Sequence, residues 1–245
     1  RMNWKLTIQY DGSRYDGWQR QGNTGNTIQG KLEGVLSRLE GRAVEVQGAG
    51  RTDAGVHALG QVASVRLADG RQAEEILSYV NCYLPEDIAV TTAEPAPERF
   101  HARLSAKGKV YRYALRLGGV PDVFRRKYQY RLDGELDTAA MERAAAQLIG
   151  THDFRAFSSA RREKKSTVRT LRAIDIARSG PDLAITYEGD GFLYNMVRIL
   201  TGTLLEVGQG TRRPEEMGAI LASRSREAAG RTAPAQGLTL VEVKY

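Results

Sequence analysis

Cysteine is nearly absent from this chain, with one residue, Cys82, in 245. A lone thiol forms no internal disulfide and no cysteine-based zinc site, and it suits a reducing compartment. Histidine is almost as scarce. His57, His101 and His152 lie far apart, and no pair has the short spacing of metal ligands on one element. No stretch reaches the roughly 18 consecutive apolar residues of a membrane-spanning helix. The first ten residues alternate like a strand instead of forming the apolar core of a secretory signal. These absences exclude a disulfide scaffold and a zinc module, and they lead us to expect a cytoplasmic protein that needs no metal.

What is present is a globular composition, 41% apolar and 27% charged, with a net charge of +7. The isoelectric point of about 9.6 favours acidic partners such as nucleic acid. The charge is clustered. Between Arg99 and Arg131 there are ten basic residues and one acid, Asp122, interleaved with Phe100, Tyr111, Tyr113, Phe124, Tyr128 and Tyr130. Cations alternating with rings suit a surface that meets phosphates and stacks bases. A second run, Arg155 to Arg178, holds Arg161, Arg162, Lys164, Lys165, Arg169 and Arg172 against Glu163 and Asp175. Either run also fits a solvated charged loop.

The periodicities alternate between two and 3.6 residues along the chain. Leu6, Ile8 and Tyr10 mark a strand that ends at Asp11-Gly12. Thr27 can cap a helix bearing Ile28, Leu32, Val35, Leu36 and Leu39, which Gly41 stops. Strands are expected from Val44 and Val46, over 61–67 and over 88–93, with a helix over 73–79. The second half repeats the order with an insertion: strand 109–117, helix 138–149, strands 171–177 and 183–187 around Gly180-Pro181, helix 191–207, a short helix from Pro214, and strand 238–243. The fold class expected is α+β. Two ferredoxin-like (RRM-like) βαββαβ halves, residues 1–105 and 106–245, would form one extended mixed or antiparallel sheet backed by helices. The cleft between such halves would be the default active site.

The densest motif is Gly48-Ala-Gly-Arg-Thr-Asp-Ala-Gly-Val-His-Ala58. Its opening resembles a dinucleotide-binding loop, but the third glycine position is Asp53, which would set a carboxylate against a pyrophosphate, and a strand pattern follows where a helix is required. A phosphate loop ending in lysine is also absent. An isolated Gly-Arg-Thr-Asp is more often a glycine-rich turn with a capping aspartate.

Other segments change the weighting. Tyr10-Asp-Gly12 with Gly17-Trp-Gln-Arg-Gln21, Thr27-Ile-Gln29, Gly50 to Ala58, Tyr111-Arg-Tyr113, Gly150-Thr-His-Asp-Phe154, Met196-Val-Arg198, and Arg231-Thr-Ala233 with Gly237-Leu238 together resemble the tRNA pseudouridine synthase A family, in its order and over nearly the whole chain. The resemblance implies a pseudouridine synthase fold and isomerisation of uridine in the anticodon stem-loop of tRNA. It also implies a homodimer that uses no cofactor and no metal.

Isomerising uridine means breaking the N1 glycosidic bond, turning the uracil and rejoining it through C5, on a base taken out of its stack. An aspartate suits this because it is ionised at neutral pH and serves as nucleophile or base. The resemblance places the catalytic aspartate at Asp53. Arg198 is the one cation between Gly191 and Val207, set among Leu193, Met196, Val197, Leu200 and Leu204, so its guanidinium should be half-buried beside an anion. If Asp53 is that anion, Arg198 keeps it ionised and oriented; an arginine snorkelling to solvent is the alternative. By resemblance, Arg51 helps displace the target base through phosphate contact, although an arginine of that kind also stabilises turns. Tyr111 shares a strand face with Tyr113, Leu115 and Leu117 and reads from pattern as core, whereas the resemblance has it stack on the uracil. Leu238 would close the apolar side of the base pocket or be an ordinary core leucine. His57 invites a general-acid role that the family's chemistry does not need, and His152 and Asp153 read as structural. The rival to an enzyme is a non-catalytic RNA-binding protein, which would gain nothing from a carboxylate among phosphates.

Overall fold

The computed structural model describes all 245 residues. In chain order the elements are β1 (Met2–Tyr10), α1 (Ile28–Glu40), β2 (Gln47–Gly48), β3 (His57–Leu67), α2 (Ala73–Tyr83), β4 (Ile88–Pro95) and β5 (Gly108–Leu117). They continue with β6 (Tyr130–Leu132), α3 (Thr138–Leu148), β7 (Gly150–Asp153), β8 (Val168–Ser179), β9 (Asp182–Gly189), α4 (Met196–Gly208), α5 (Met217–Ser223) and β10 (Leu238–Lys244). Two compact units result, one of Arg1–Lys107 with Thr239–Tyr245, the other of Gly108–Leu238.

In the first unit the strands run β4-β1-β3-β10, with β2 also on β3. β1 is antiparallel to both neighbours. Trp4, Leu6, Ile8 and Tyr10 point to one face and are buried, as the period-two pattern requires. α1 begins where expected, with the Thr27 hydroxyl accepting from Gly30 N–H (3.1 Å). α2 runs a turn past the expected end at Tyr79, because Val80 extends the buried stripe begun by Ile76 and the chain meets a breaker only at Pro85.

The strand expected from Val44 is not there. α1 takes the backbone groups that a ladder would use: Val44 N–H donates to Ser37 Oγ (3.0 Å), Val46 N–H to Glu33 Oε2 (2.9 Å), and Gln29 Nε2 donates to the Val46 carbonyl (2.9 Å). Only Gln47 and Gly48 pair with β3. β10 pairs parallel with β3, Thr239 opposite His57, so the sheet is mixed.

In the second unit β5-β9-β8-β7 are antiparallel neighbours, and β6 adds parallel to β5. Tyr113, Leu115, Leu183, Ile185 and Tyr187 of β5 and β9 are buried. α3 starts at Asp137, whose carboxylate accepts from Ala140 N–H (3.0 Å). The helix expected from Gly191 begins instead at Met196. Asn195 holds φ 60°, in the left-handed region, and no right-handed helix runs through such a residue. The apolar spacing is the same on both sides of Asn195, so periodicity cannot reveal the break.

Candidate active site

Asp53 stands between β2 and β3, on a connection held by three segments of the first unit. The Thr52 carbonyl accepts from Trp18 N–H (3.0 Å), and the Thr52 hydroxyl shares a 2.7 Å hydrogen bond with the Tyr10 hydroxyl. Gln61 Nε2 donates to the Gly50 carbonyl (3.0 Å). Behind the carboxylate a tight turn closes, Val56 N–H to the Asp53 carbonyl at 3.0 Å. The Tyr10 and Trp18 rings stack with centroids 6.3 Å apart. Burial pushes the Tyr10 hydroxyl up to about 12, so it stays protonated and acts as a strut. Thr52 is buried, while Asp53 is half-buried and Arg51 exposed. The motif thus fixes the residue before the carboxylate and leaves the carboxylate accessible. The chain then enters a strand, as the rejected dinucleotide loop would not.

His57 belongs to this scaffold. Its Nδ1 accepts from Gly12 N–H at 2.9 Å. Asp11 Oδ1 lies 3.4 Å from the same nitrogen; because Nδ1 is already an acceptor, its ring proton belongs on Nε2 and the contact is not a proton-sharing pair. Gly12 is required here, since a Cβ would overlap the Val56 carbonyl oxygen. Gly12→Ala is therefore expected to cost about 1–3 kcal/mol in a denaturant melt, with the displaced turn also slowing any reaction at Asp53. Unchanged stability would mean that the backbones separate freely.

Tyr111, Arg198 and Leu238 belong to the second unit. Every residue of α4 except Arg198 and Glu206 is buried, which bears out the half-buried setting expected for this arginine. Arg198 Nε donates to the Ala233 carbonyl (2.8 Å) and Nη1 to Asn195 Oδ1 (3.3 Å). The Ala233 carbonyl reaches it because the chain at Arg231 crosses α4 against Gly202, where a Cβ would overlap the Arg231 carbonyl oxygen. Asn195 and Ala233 escape sequence reasoning: one depends on a backbone conformation, the other on a carbonyl that any residue could supply. Tyr111 is 8% exposed and meets Phe192 edge to face, ring centroids 5.2 Å apart. Tyr113 is core: its ring lies against Gly237 and its hydroxyl donates to the Pro234 carbonyl (2.7 Å). Burial raises that hydroxyl's pKa, opposed by the charge of Arg198. Leu238, next to Gly237, is buried at the start of β10.

The basic runs divide. Arg116 and Arg125 converge on Asp182 at 3.2 and 2.9 Å, and Arg125 also pairs with Asp122 at 2.7 Å. Burial opposes ionisation of Asp182, but hydrogen bonds from Arg125, Gln129 and Arg116 hold its carboxyl below the usual range. These cations serve the fold. A cavity of about 390 Å³ beside them is lined by Arg112, Tyr128 and Asp182 and contains none of the five candidate site residues. Of the interleaved rings, Phe124 is 89% exposed whereas Tyr113 is fully buried. In the second run Arg161, Arg162, Lys164 and Lys165 are exposed, and the intervening Glu163 turns inward to accept from Ser158 Oγ (2.8 Å). Asp153 closes the base of this loop, accepting from Thr167 Oγ1 (2.6 Å) and Arg155 N–H (3.0 Å). The Thr167 hydrogen bond leads in keeping its carboxyl below the usual range.

No group of three His, Cys, Asp or Glu side chains could hold a metal ion, and no helix is long and apolar enough to cross a membrane. A family described as tRNA pseudouridine synthase matches residues 6–104 and 144–245, leaving Tyr111 and Phe124 outside the match. The chain is 49% identical over 243 residues to a protein of Bacillus sp. (strain KSM-64) named tRNA pseudouridine synthase A, covering 99% of each. To proteins of the same name it is 47% identical over 234 residues in Halalkalibacterium halodurans (95% of this chain, 89% of that one) and 45% identical over 243 residues in Acetivibrio thermocellus (99% of each). A solved Cbf5–Nop10–Gar1 complex aligns with a TM-score of 0.41 and 12% identity, over 97% of this chain and 48% of that one. By the family match and these full-length relatives, the chain is one of an isomerase family. The chain belongs to the tRNA pseudouridine synthase family.

Proposed function

We propose that this protein converts uridine to pseudouridine in the anticodon stem-loop of tRNA, as a homodimer, with Asp53 as the essential carboxylate. One observation carries the reading: Asp53 is half-buried on a loop whose preceding residue is bonded through both its side chain and its carbonyl. A group placed in this way meets substrate without reorganising. In the reaction the N1–C1′ bond breaks, a C5–C1′ bond forms, C5 loses its proton and N1 gains one. Nothing is oxidised, reduced or hydrolysed overall, so atom balance calls for no cofactor. An ionised carboxylate serves by adding to the base, attacking the sugar carbon or removing a sugar proton. Arg198 is its charge partner, Arg51 holds the displaced backbone through phosphate, and Tyr111 and Leu238 line the base pocket. The support for these roles is the position of Arg198 as the one cation of an otherwise largely apolar helix and the motif positions of the other three.

The test is release of tritium from uracil C5 of labelled tRNA, in chelator, with mapping of the modified position. Release within the anticodon stem-loop is expected; binding without release would leave an RNA-binding protein. Light scattering should give twice the mass of the chain. tRNA affinity should fall with salt by a log-log slope of roughly 0.7 to 0.9 per phosphate neutralised. Replacing Arg161, Arg162, Lys164 and Lys165 by Gln should reduce that slope by about 1 for each residue that meets a phosphate. An unchanged slope would remove this loop from the footprint.

A further inference from the structure

Asn195 occupies the N-cap of α4 yet does not cap it. Its side chain makes no hydrogen bond to the first-turn amides, and its backbone, at φ 60° and ψ 13°, is left-handed. Only Arg224 shares that region among the non-glycine residues. Asparagine is the side chain that tolerates this region best, and a residue held there signals a constraint imposed by its surroundings. Both ends of the Asn195 amide are in use. Oδ1 accepts from Arg198 Nη1 at 3.3 Å, and Nδ2 donates to Ser159 Oγ at 2.9 Å. The neighbouring backbone adds a second tie, Ser159 N–H to the Tyr194 carbonyl at 3.1 Å. Ser159 opens the loop whose exposed tip carries Arg161, Arg162, Lys164 and Lys165.

We propose that Asn195 is a positioning residue that fixes the Arg198 guanidinium and links it to the basic loop, so that RNA phosphate held by the loop sets the aim of Arg198. The proposal rests on the reading of Arg198 given above. With Nε on the Ala233 carbonyl and Nη1 on Asn195, the guanidinium plane is defined by two bonds made from different segments. One of those segments is tied to the loop. Engagement of the loop with the RNA backbone is thereby communicated across one amide, without a change of fold.

Asn195→Gly separates the side chain from the backbone, because glycine accepts positive φ without strain. This variant should fold and melt close to the wild type, the loss of two side-chain hydrogen bonds being offset in part by relief of the left-handed strain. It should bind tRNA within about 2-fold, while its single-turnover rate falls by on the order of 10²-fold through loss of alignment. Asn195→Asp retains the acceptor for Arg198 and can accept from the Ser159 hydroxyl, reversing the bond that the amide donates in the wild type, and should recover most of the rate. Ser159→Ala should give an intermediate loss, and Asn195→Gly should cost nothing further in an Arg198→Met background. The Nε–H resonance of Arg198, assigned by its disappearance in Arg198→Met, should shift in Asn195→Gly and return in Asn195→Asp. A glycine variant with normal rate, or one whose rate falls while the resonance stays put, overturns the proposal. Wild-type protein that forms no pseudouridine would instead overturn the function proposed above, and the resonance would still decide whether Asn195 positions Arg198.

Discussion

Asp53→Asn is expected to fold, to bind tRNA at near-normal affinity and to form no pseudouridine in a single turnover with enzyme in excess. Asparagine preserves the size of the side chain and most of its hydrogen bonding but removes the anion. Bonds that hold the loop independently of the Asp53 side chain come from Trp18 N–H, the Tyr10 hydroxyl and Gln61, and they go to Thr52 and Gly50. The turn bond at Asp53 uses its backbone carbonyl. The loop should therefore keep its shape, at a cost of about 1 kcal/mol or less. Chemistry should stop, because an amide oxygen is a poor nucleophile and a poor base at neutral pH. Binding could tighten, since a negative charge leaves a phosphate-rich site. Tritium release under enzyme excess, beside a binding titration and a melt, reads all three. Substantial release from a folded Asp53→Asn protein would require a different catalytic group.

Arg198→Met should keep tRNA binding and lose about 2–4 kcal/mol of barrier lowering, roughly 30- to 1000-fold in single-turnover rate, as expected for loss of one oriented, charge-assisted contact. Methionine keeps an apolar stem in a helix whose other residues, Glu206 apart, are buried, so packing should survive. The structure adds a second consequence. Removing the guanidinium takes a donor from the Ala233 carbonyl and another from Asn195 Oδ1, and a melt should show a further loss of about 1–2 kcal/mol. Arg198→Lys keeps the charge but has no planar fork to meet both acceptors, and it should fall between the wild type and Met in rate. A near-normal rate for Arg198→Met would return this residue to a packing role.

Local pattern alone determined much of this protein. The alternation of Leu6, Ile8 and Tyr10, the cap at Thr27 and the Gly180-Pro181 turn specify their elements within a few residues, since each depends on neighbours in sequence. The candidate carboxylate was legible for a similar reason: its motif is contiguous, and Asp53 sits at the third glycine position of a dinucleotide-binding loop, where a carboxylate would meet the pyrophosphate. The halves were read as repeats from element order, and the first does run β1-α1-β2-β3-α2-β4.

Tertiary structure decided the rest, and in each case the cause is a contact that apolar and charged spacing does not reveal. Val44 and Val46 have strand-forming side chains, but Ser37 and Glu33 of α1 take their amides. The chain from Gly191 carries helical spacing, but Asn195 turns left-handed where its amide joins Ser159 to Arg198. β10 looks like the last strand of the second repeat and pairs with β3 of the first unit. Arg116 and Arg125 count toward a nucleic-acid surface in the sequence, but Asp182 occupies them in the fold. A sequence pattern reports how apolar and charged groups are spaced along the chain. Which donor meets which acceptor depends on contacts between residues far apart in that chain, and an unmet buried polar group costs on the order of 1–3 kcal/mol, enough to override local preference.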